Sequence, residues 1–142
     1  MNLPDTNVLI YSVNLDSPQH TIACNWLSSG FDSVGGVCFS WVALLGFIRI
    51  STRSGILPKP LSAEAALSVV DQWLNHPVAS VINPGDRHAS LLGRLIVGAG
   101  TAANLTNDAH LAALAMEHDA TLGSFDRDFQ RFSGLKLELL KG

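Results

Sequence analysis

The stretch Thr106–Phe129, TNDAHLAALAMEHDATLGSFDRDF, restricts this chain more than any other. Leu111, Leu114, Ala115 and His118 recur at the spacing of one helix face, and Asp119-Ala120 ends that pattern. Thr121–Ser124 follows, short enough to be a strand buried on both faces of a parallel sheet. Asp108 falls in the first turn of the helix, where the macrodipole favours a carboxylate. Asp126 and Asp128 come just past the strand's carboxyl end, where open α/β sheets place their ligands. A helix, a buried strand and an acidic turn in this order bring three carboxylates towards one crevice.

The rest of the chain repeats the same alternation. Leu3-Pro4 reads as a brief first strand that leaves Asp5 at its carboxyl end, with a short helix from about Thr6. Asp5 is either the cap of that helix or part of a site. Ser17-Pro18 predicts the start of a second helix, with Ile22, Ala23, Trp26 and Leu27 inward. Val34–Phe39 is the next strand, and Ser40 caps an apolar helix over Trp41–Ile50. A loop over Ser51–Pro60 leads to a helix from Ser62 to about Asn75. Val78–Ile82 is a strand, and Asp86 is the expected cap of a helix that Gly98-Ala99-Gly100 ends. A polar loop runs through Asn104 to the opening stretch, and Leu135–Leu140 is a last edge strand. Short apolar strands alternating with helices predict an α/β fold: an α/β/α sandwich around a short-stranded central parallel sheet. No repeat or linker divides residues 1–142, so one domain is expected.

Composition removes several classes of function. With 47% hydrophobic residues, the chain has material for a core. No apolar run is long enough to span a bilayer. Met1–Asp5 lacks the basic and apolar regions of a signal peptide, so a cytoplasmic protein is expected. Cys24 and Cys38 lack CxxC spacing and read as reduced core thiols. A net charge of −3 leaves nucleic-acid binding to local clusters, of which Arg49, Arg53 and Lys59 form one and Arg127 and Arg131 another. GxGxxG, GxxxxGK[ST] and GxSxG are all absent. The five histidines lack metal-ligand spacing and read as surface or capping residues; His110, two residues past Asp108, is the one to watch.

What remains is aspartate. Right-handed crossovers between parallel strands carry Asp5, Asp108, Asp126 and Asp128 to one edge of the sheet. Carboxylates packed closely need a proton or a cation between them. Oxygen-only donors suit Mg²⁺ or Mn²⁺, which can activate a water and steady a phosphodiester. Spacing alone leaves this open against four independent caps and turns.

Asp5–Leu9, Gly46–Arg49, Asn107–Ala115 and Ser124–Phe129 together resemble the PIN-domain family, and within it the VapC toxins of bacterial toxin–antitoxin pairs. The resemblance spans essentially the whole chain and keeps the order of the motifs. It implies a Mg²⁺- or Mn²⁺-dependent endoribonuclease that cleaves structured RNA such as tRNA or rRNA. Asp5, Asp108 and Asp126 would be its catalytic and metal-holding acids. Asp128 would be an outer member and Ser124 a hydroxyl that positions the site; for such a reaction, Arg49 or Arg127 is the expected phosphate contact. A homodimer and a cognate VapB-type antitoxin are also implied. One departure stands out: the family's usual glutamate on the Trp41–Ile50 helix falls near Leu44, and no acid lies between Ala43 and Gly46. An inactive PIN domain that only binds an antitoxin or RNA is therefore the alternative. Phosphotransfer through Asp126 and Asp128 is weaker, because that chemistry wants the acid pair after the first strand.

Overall fold

Five short strands run parallel in one sheet: β1 (Asn2–Pro4), β2 (Val37–Phe39), β3 (Ala79–Val81), β4 (Thr121–Ser124) and β5 (Leu137–Leu139). Their order is β3-β2-β1-β4-β5. The structure, a computed structural model, describes residues 1–100 and 103–141. The chain moves outward from β1 on one side, then returns to β1 and moves outward on the other. The switch in direction lies between β1 and β4, the place where open α/β sheets leave a crevice beyond their carboxyl ends.

Six α-helices among the described residues cover the two faces. Helices α1 (Thr6–Val13), α2 (His20–Phe31), α3 (Trp41–Ser51) and α4 (Ala63–Leu74) pack on one side with Val37 and Phe39. Helices α5 (His88–Ala99) and α6 (Thr106–Glu117) pack on the other with Leu3, Cys38 and Leu122. Val37, Cys38 and Phe39 alternate between the two cores, as the pleat of a doubly covered strand requires. This is the predicted α/β/α sandwich. No helix among the described residues is long and apolar enough to cross a membrane.

β1 is the centre of the sheet despite its proline. Asn2 N–H donates to Gly36 on the β2 side, and Asp5 N–H donates to Gly123 on the β4 side. Alternate residues thus face opposite neighbours, and the missing N–H of Pro4 falls on the β2 side. There β1 and β2 share a single residue pair, Asn2 with Val37. β1 and β4 stay paired through Pro4 and Gly123, immediately before Asp5. The loss of pairing on one side and its persistence on the other open the sheet next to Asp5.

Several expected boundaries shift for local reasons. α2 begins at His20, because the Ser17 hydroxyl is spent in a turn with Gln19. β2 begins at Val37, after Gly36 in a left-handed conformation; Val34 is fully exposed. Asp86 does not cap α5, whose N-cap is Arg87 without a side-chain hydrogen bond; the Glu117 carboxylate, from the end of α6, lies against Gly85 just before it. Ser40 and Ser62 cap α3 and α4 as expected, each accepting from the N–H three residues on. Residues 101–102 of the polar loop lie outside the described residues.

Gly123 is where the core is least forgiving. A methyl group there would sit 2.8 Å from Cε2 of Trp26 and closer still to two other ring atoms. The indole cannot swing aside freely, since its N–H donates to Glu138 at 3.1 Å. Gly123→Ala should therefore cost about 1–3 kcal/mol by overpacking. A lower urea midpoint would show this; an unchanged midpoint would mean that α2 and β4 are less tightly joined.

Candidate active site

Asp5 follows β1 and caps α1, its Oδ1 accepting from Thr6 N–H at 2.7 Å. Its Oδ2 accepts from the Ser124 hydroxyl, also at 2.7 Å. Ser124 is the fully buried last residue of β4. The same hydroxyl oxygen accepts from Asp126 N–H at 3.0 Å and from the Asn7 side-chain amide at 3.2 Å. Asn7 Oδ1 in turn accepts from Phe125 N–H. One serine therefore ties the exits of both central strands and the first turn of α1. Asn7 belongs to this knot, and nothing in its spacing reveals an amide that reaches across the sheet. Asp126 caps the next 3-10 turn, accepting from Asp128 N–H at 2.9 Å.

A cavity of about 190 Å³ lies between the starts of α1, α3 and α6. Asp5 and Thr6 form one wall, Gly46 and Arg49 another, and Asn107 and Asp108 the third. The sequence brings these walls close. Thr6 donates its hydroxyl to Ala43 C=O at 3.3 Å, and a methyl at Gly46 would crowd that same hydroxyl. Small residues on α3 thus let α1 press against it. Arg49, in the last turn of α3, is exposed and stands at the mouth.

The acids sense one another. Burial raises the pKa of Asp5; the Ser124 and Thr6 hydrogen bonds oppose this, and the Asp126 charge adds to it. Burial also pushes Asp108 up, to about 7, and the charges of Asp5, Asp126 and Asp128 reinforce the shift. Asp5 and Asp108 line the same cavity, while Asp126 is not part of its lining and acts on both through its charge. Asp128 contributes only its field: it is exposed and pairs with Arg131 at 3.8 Å. Arg127 lies outside the acidic cavity, in a separate groove with Tyr11 and Phe125.

Leu44, near which the family's usual glutamate falls, is fully buried with Leu9 and Phe47, while Val42, Ala43, Gly46 and Arg49 line the cavity. No acid on α3 faces the cavity. One sequence expectation needs correction: the histidines are not all peripheral. His110 Nδ1 lies 2.9 Å from Nε2 of buried His88, whose Nδ1 is 3.4 Å from Glu117. Burial and the neighbouring His88 lower the pKa of His110.

The donor set matches a hard cation in kind, since three carboxylates with oxygen-only chemistry share the switch point. Among the described residues, no three His, Cys, Asp or Glu side chains are already gathered around one ion position. Burial first, and then the like charges of Asp5, Asp126 and Asp128, make the ionised form of Asp108 costly without a cation.

The sequence model of the family described as PIN domain matches residues 3–135. Ribonuclease VapC37 of Mycobacterium tuberculosis is 47% identical over 136 residues, covering 96% of this chain and 94% of that protein. Ribonuclease VapC33 of the same species is 38% identical over 136 residues, covering 96% of this chain and 95% of that protein. Among solved structures, VapBC2 from Rickettsia felis bound to a promoter DNA fragment shares the fold with a TM-score of 0.70. Its identity is 19%, over 99% of this chain and 98% of that one. FitAcB from Neisseria gonorrhoeae gives a TM-score of 0.64 at 17% identity, covering 96% of each chain.

The coupled acids make stability depend on pH in a definite direction. An acid whose pKa is higher folded than unfolded holds its proton more tightly in the fold, so stability falls as pH rises between the two values. For Asp108 that window runs from 3.8 to about 7. In EDTA, the urea midpoint of the wild type should fall across this window, and Asp108→Asn should flatten the fall. Equal slopes in the two proteins would show that folding does not raise the pKa of Asp108.

Proposed function

The chain belongs to the PIN-domain family, and we propose that it is a metal-dependent endoribonuclease, the toxin of a VapBC-type toxin–antitoxin pair. The observation that carries this reading is that Asp5 and Asp108 face one cavity while Ser124 holds Asp126 beside them. Relatives named ribonucleases across nearly the full length of the chain support it.

Asp5, Asp108 and Asp126 would hold Mg²⁺ or Mn²⁺. Such a cation supplies charge to offset the phosphodiester and to lower the pKa of an attacking water. The chain's own residues supply the rest. Ser124 and Thr6 fix both oxygens of Asp5, so its carboxylate cannot rotate away. Asp108, whose pKa burial and the neighbouring acids raise to about 7 in the metal-free fold, would give up its proton to take its place beside the cation. Arg49 offers a guanidinium at the mouth to a phosphate oxygen. Asp128 tunes the acids through its charge. The products would be two RNA fragments, cut from a structured substrate such as tRNA or rRNA.

A cognate VapB-type antitoxin and a homodimer complete the proposal. The solved complexes of similar fold are named as VapBC assemblies, and α3 exposes Trp41 and Leu45, apolar residues suited to an interface. A cytoplasmic location suits an RNA substrate. One observation favours the alternative, a weak or inactive domain that only binds: α3 presents no acid to the cavity, so a cation there would rest on fewer protein oxygens.

Incubation with total tRNA and rRNA separates the two. Wild type with Mn²⁺ should yield discrete fragments, and EDTA should abolish them. Asp5→Asn should cut at least about 100-fold more slowly, since loss of even a supporting group at a metal site costs about 10–100-fold. Cleavage by Asp5→Asn at the wild-type rate would dismiss the nuclease site. Absence of cleavage together with retained RNA binding would establish the binding module.

A further inference from the structure

Beside the acidic cavity lies a second groove, of about 330 Å³, at the lower end of ligand-sized clefts. Tyr11, from the last turns of α1, and Phe125, just after β4, form its aromatic wall. Their rings meet edge to face with centroids 5.0 Å apart. Arg127 and Lys141 line the same groove, with Gln19 and Leu140. Both cations are exposed, and among the described residues neither forms an ion pair. In a chain of net charge −3, this is a local positive site beside π surface.

The groove is fixed to the acids through the backbone. Phe125 N–H donates to Asn7 Oδ1, and the Asn7 amide donates to the serine that holds Asp5. Leu140 N–H donates to Ser124 C=O at 2.8 Å, which fixes the far wall to the same residue. Tyr11 also lines a shallower depression of about 300 Å³ that contains Asp5 and Asn7. The acidic crevice, that depression and the aromatic groove therefore run side by side along one edge of the sheet.

We propose that this groove is a nucleotide subsite. It holds a base of single-stranded RNA against Tyr11 and Phe125 and the adjoining phosphate against Arg127 and Lys141, next to the bond that is cut. The assignment rests on the ribonuclease reading and deepens it. Aromatic platforms with adjacent cations are how proteins grip unpaired nucleotides, because every base has a π face and every linkage a charge. An uncharged or basic peptide segment would gain nothing from the two free cations, so RNA fits the groove better than most protein partners. The subsite also gives the enzyme a preference for unpaired nucleotides, such as those in loops, since a base held in a helix cannot enter.

The test is fluorescence anisotropy with a short labelled single-stranded RNA, in EDTA to prevent cutting, beside the cleavage assay in Mn²⁺. Tyr11→Leu keeps bulk but loses the ring, and should weaken RNA binding about 5- to 30-fold. Tyr11→Phe should bind within about 2-fold of wild type, because the stacking surface remains. Arg127→Gln, at an exposed position that folding does not need, should reduce the slope of log K against log salt by about 0.7. If wild type binds and cuts RNA while Tyr11→Leu and Arg127→Gln match it in both affinity and salt slope, the subsite is wrong and the nuclease stands. If those variants keep RNA affinity but lose affinity for a poly-glutamate peptide, the groove is a protein-docking surface and the subsite is wrong. If wild type neither binds nor cuts RNA, both assignments fall together.

Discussion

The hydrogen bond from the Ser124 hydroxyl to Asp5 Oδ2 is the contact on which the site depends. It joins the carboxyl ends of the two strands that flank the switch in sheet direction. The same oxygen accepts from Asp126 N–H and from the Asn7 amide, so one small side chain sets three elements relative to one another. A larger side chain would not fit the fully buried end of β4, and one without a hydroxyl would leave the Asn7 and Asp126 donors unmatched. The proline of β1 works towards the same end, because it stops pairing with β2 immediately before the carboxylate is needed.

This arrangement stores electrostatic strain. Asp5 is half-buried; burial raises its pKa, and the Ser124 and Thr6 hydrogen bonds oppose the rise. Asp108 faces it with a pKa near 7. The fold places like charges together and offers them Arg49 only at the mouth, where solvent screens it. A proton or a divalent cation would relieve the repulsion, and an RNA phosphate would gain from that cation in turn. The groove of Tyr11 and Phe125 shares the anchors Asn7 and Ser124, so a nucleotide held there would be positioned by the same rigid knot.

The parts legible in the sequence were those whose causes are local. Thr121–Ser124 is bounded by Asp119, which adopts a positive φ, and by Asp126, which caps the following turn; the strand is therefore readable to the residue. Ser40 and Ser62 announce their helices for the same reason. What the sequence hid depends on partners far along the chain. The α5 terminus has no cap from Asp86, next to it in sequence, and the carboxylate lying near it comes from Glu117 on α6. The centrality of β1 comes from neighbours that pair with it, not from its three residues. Asp5 and Asp126 do cap the turns that follow them, so spacing alone does not tell a shared site from independent caps, and the resemblance is what singles out these acids. Which residues of α3 face the cavity depends on how the helix packs, and Leu44 is buried while its neighbour Ala43 lines the wall. Asn7 and the His88–His110 pair carry no local signature at all.

The central claim is that Asp5, Asp108 and Asp126 share one electrostatic environment. Carbon-13 NMR of the aspartate carboxyls, followed through a pH titration, measures this directly. The account predicts a midpoint for Asp108 at about 7 in the metal-free protein, with clear downward shifts in Asp5→Asn and in Asp126→Asn and on addition of Mg²⁺. A midpoint for Asp108 that stays at the ordinary aspartate value in all four samples would contradict it.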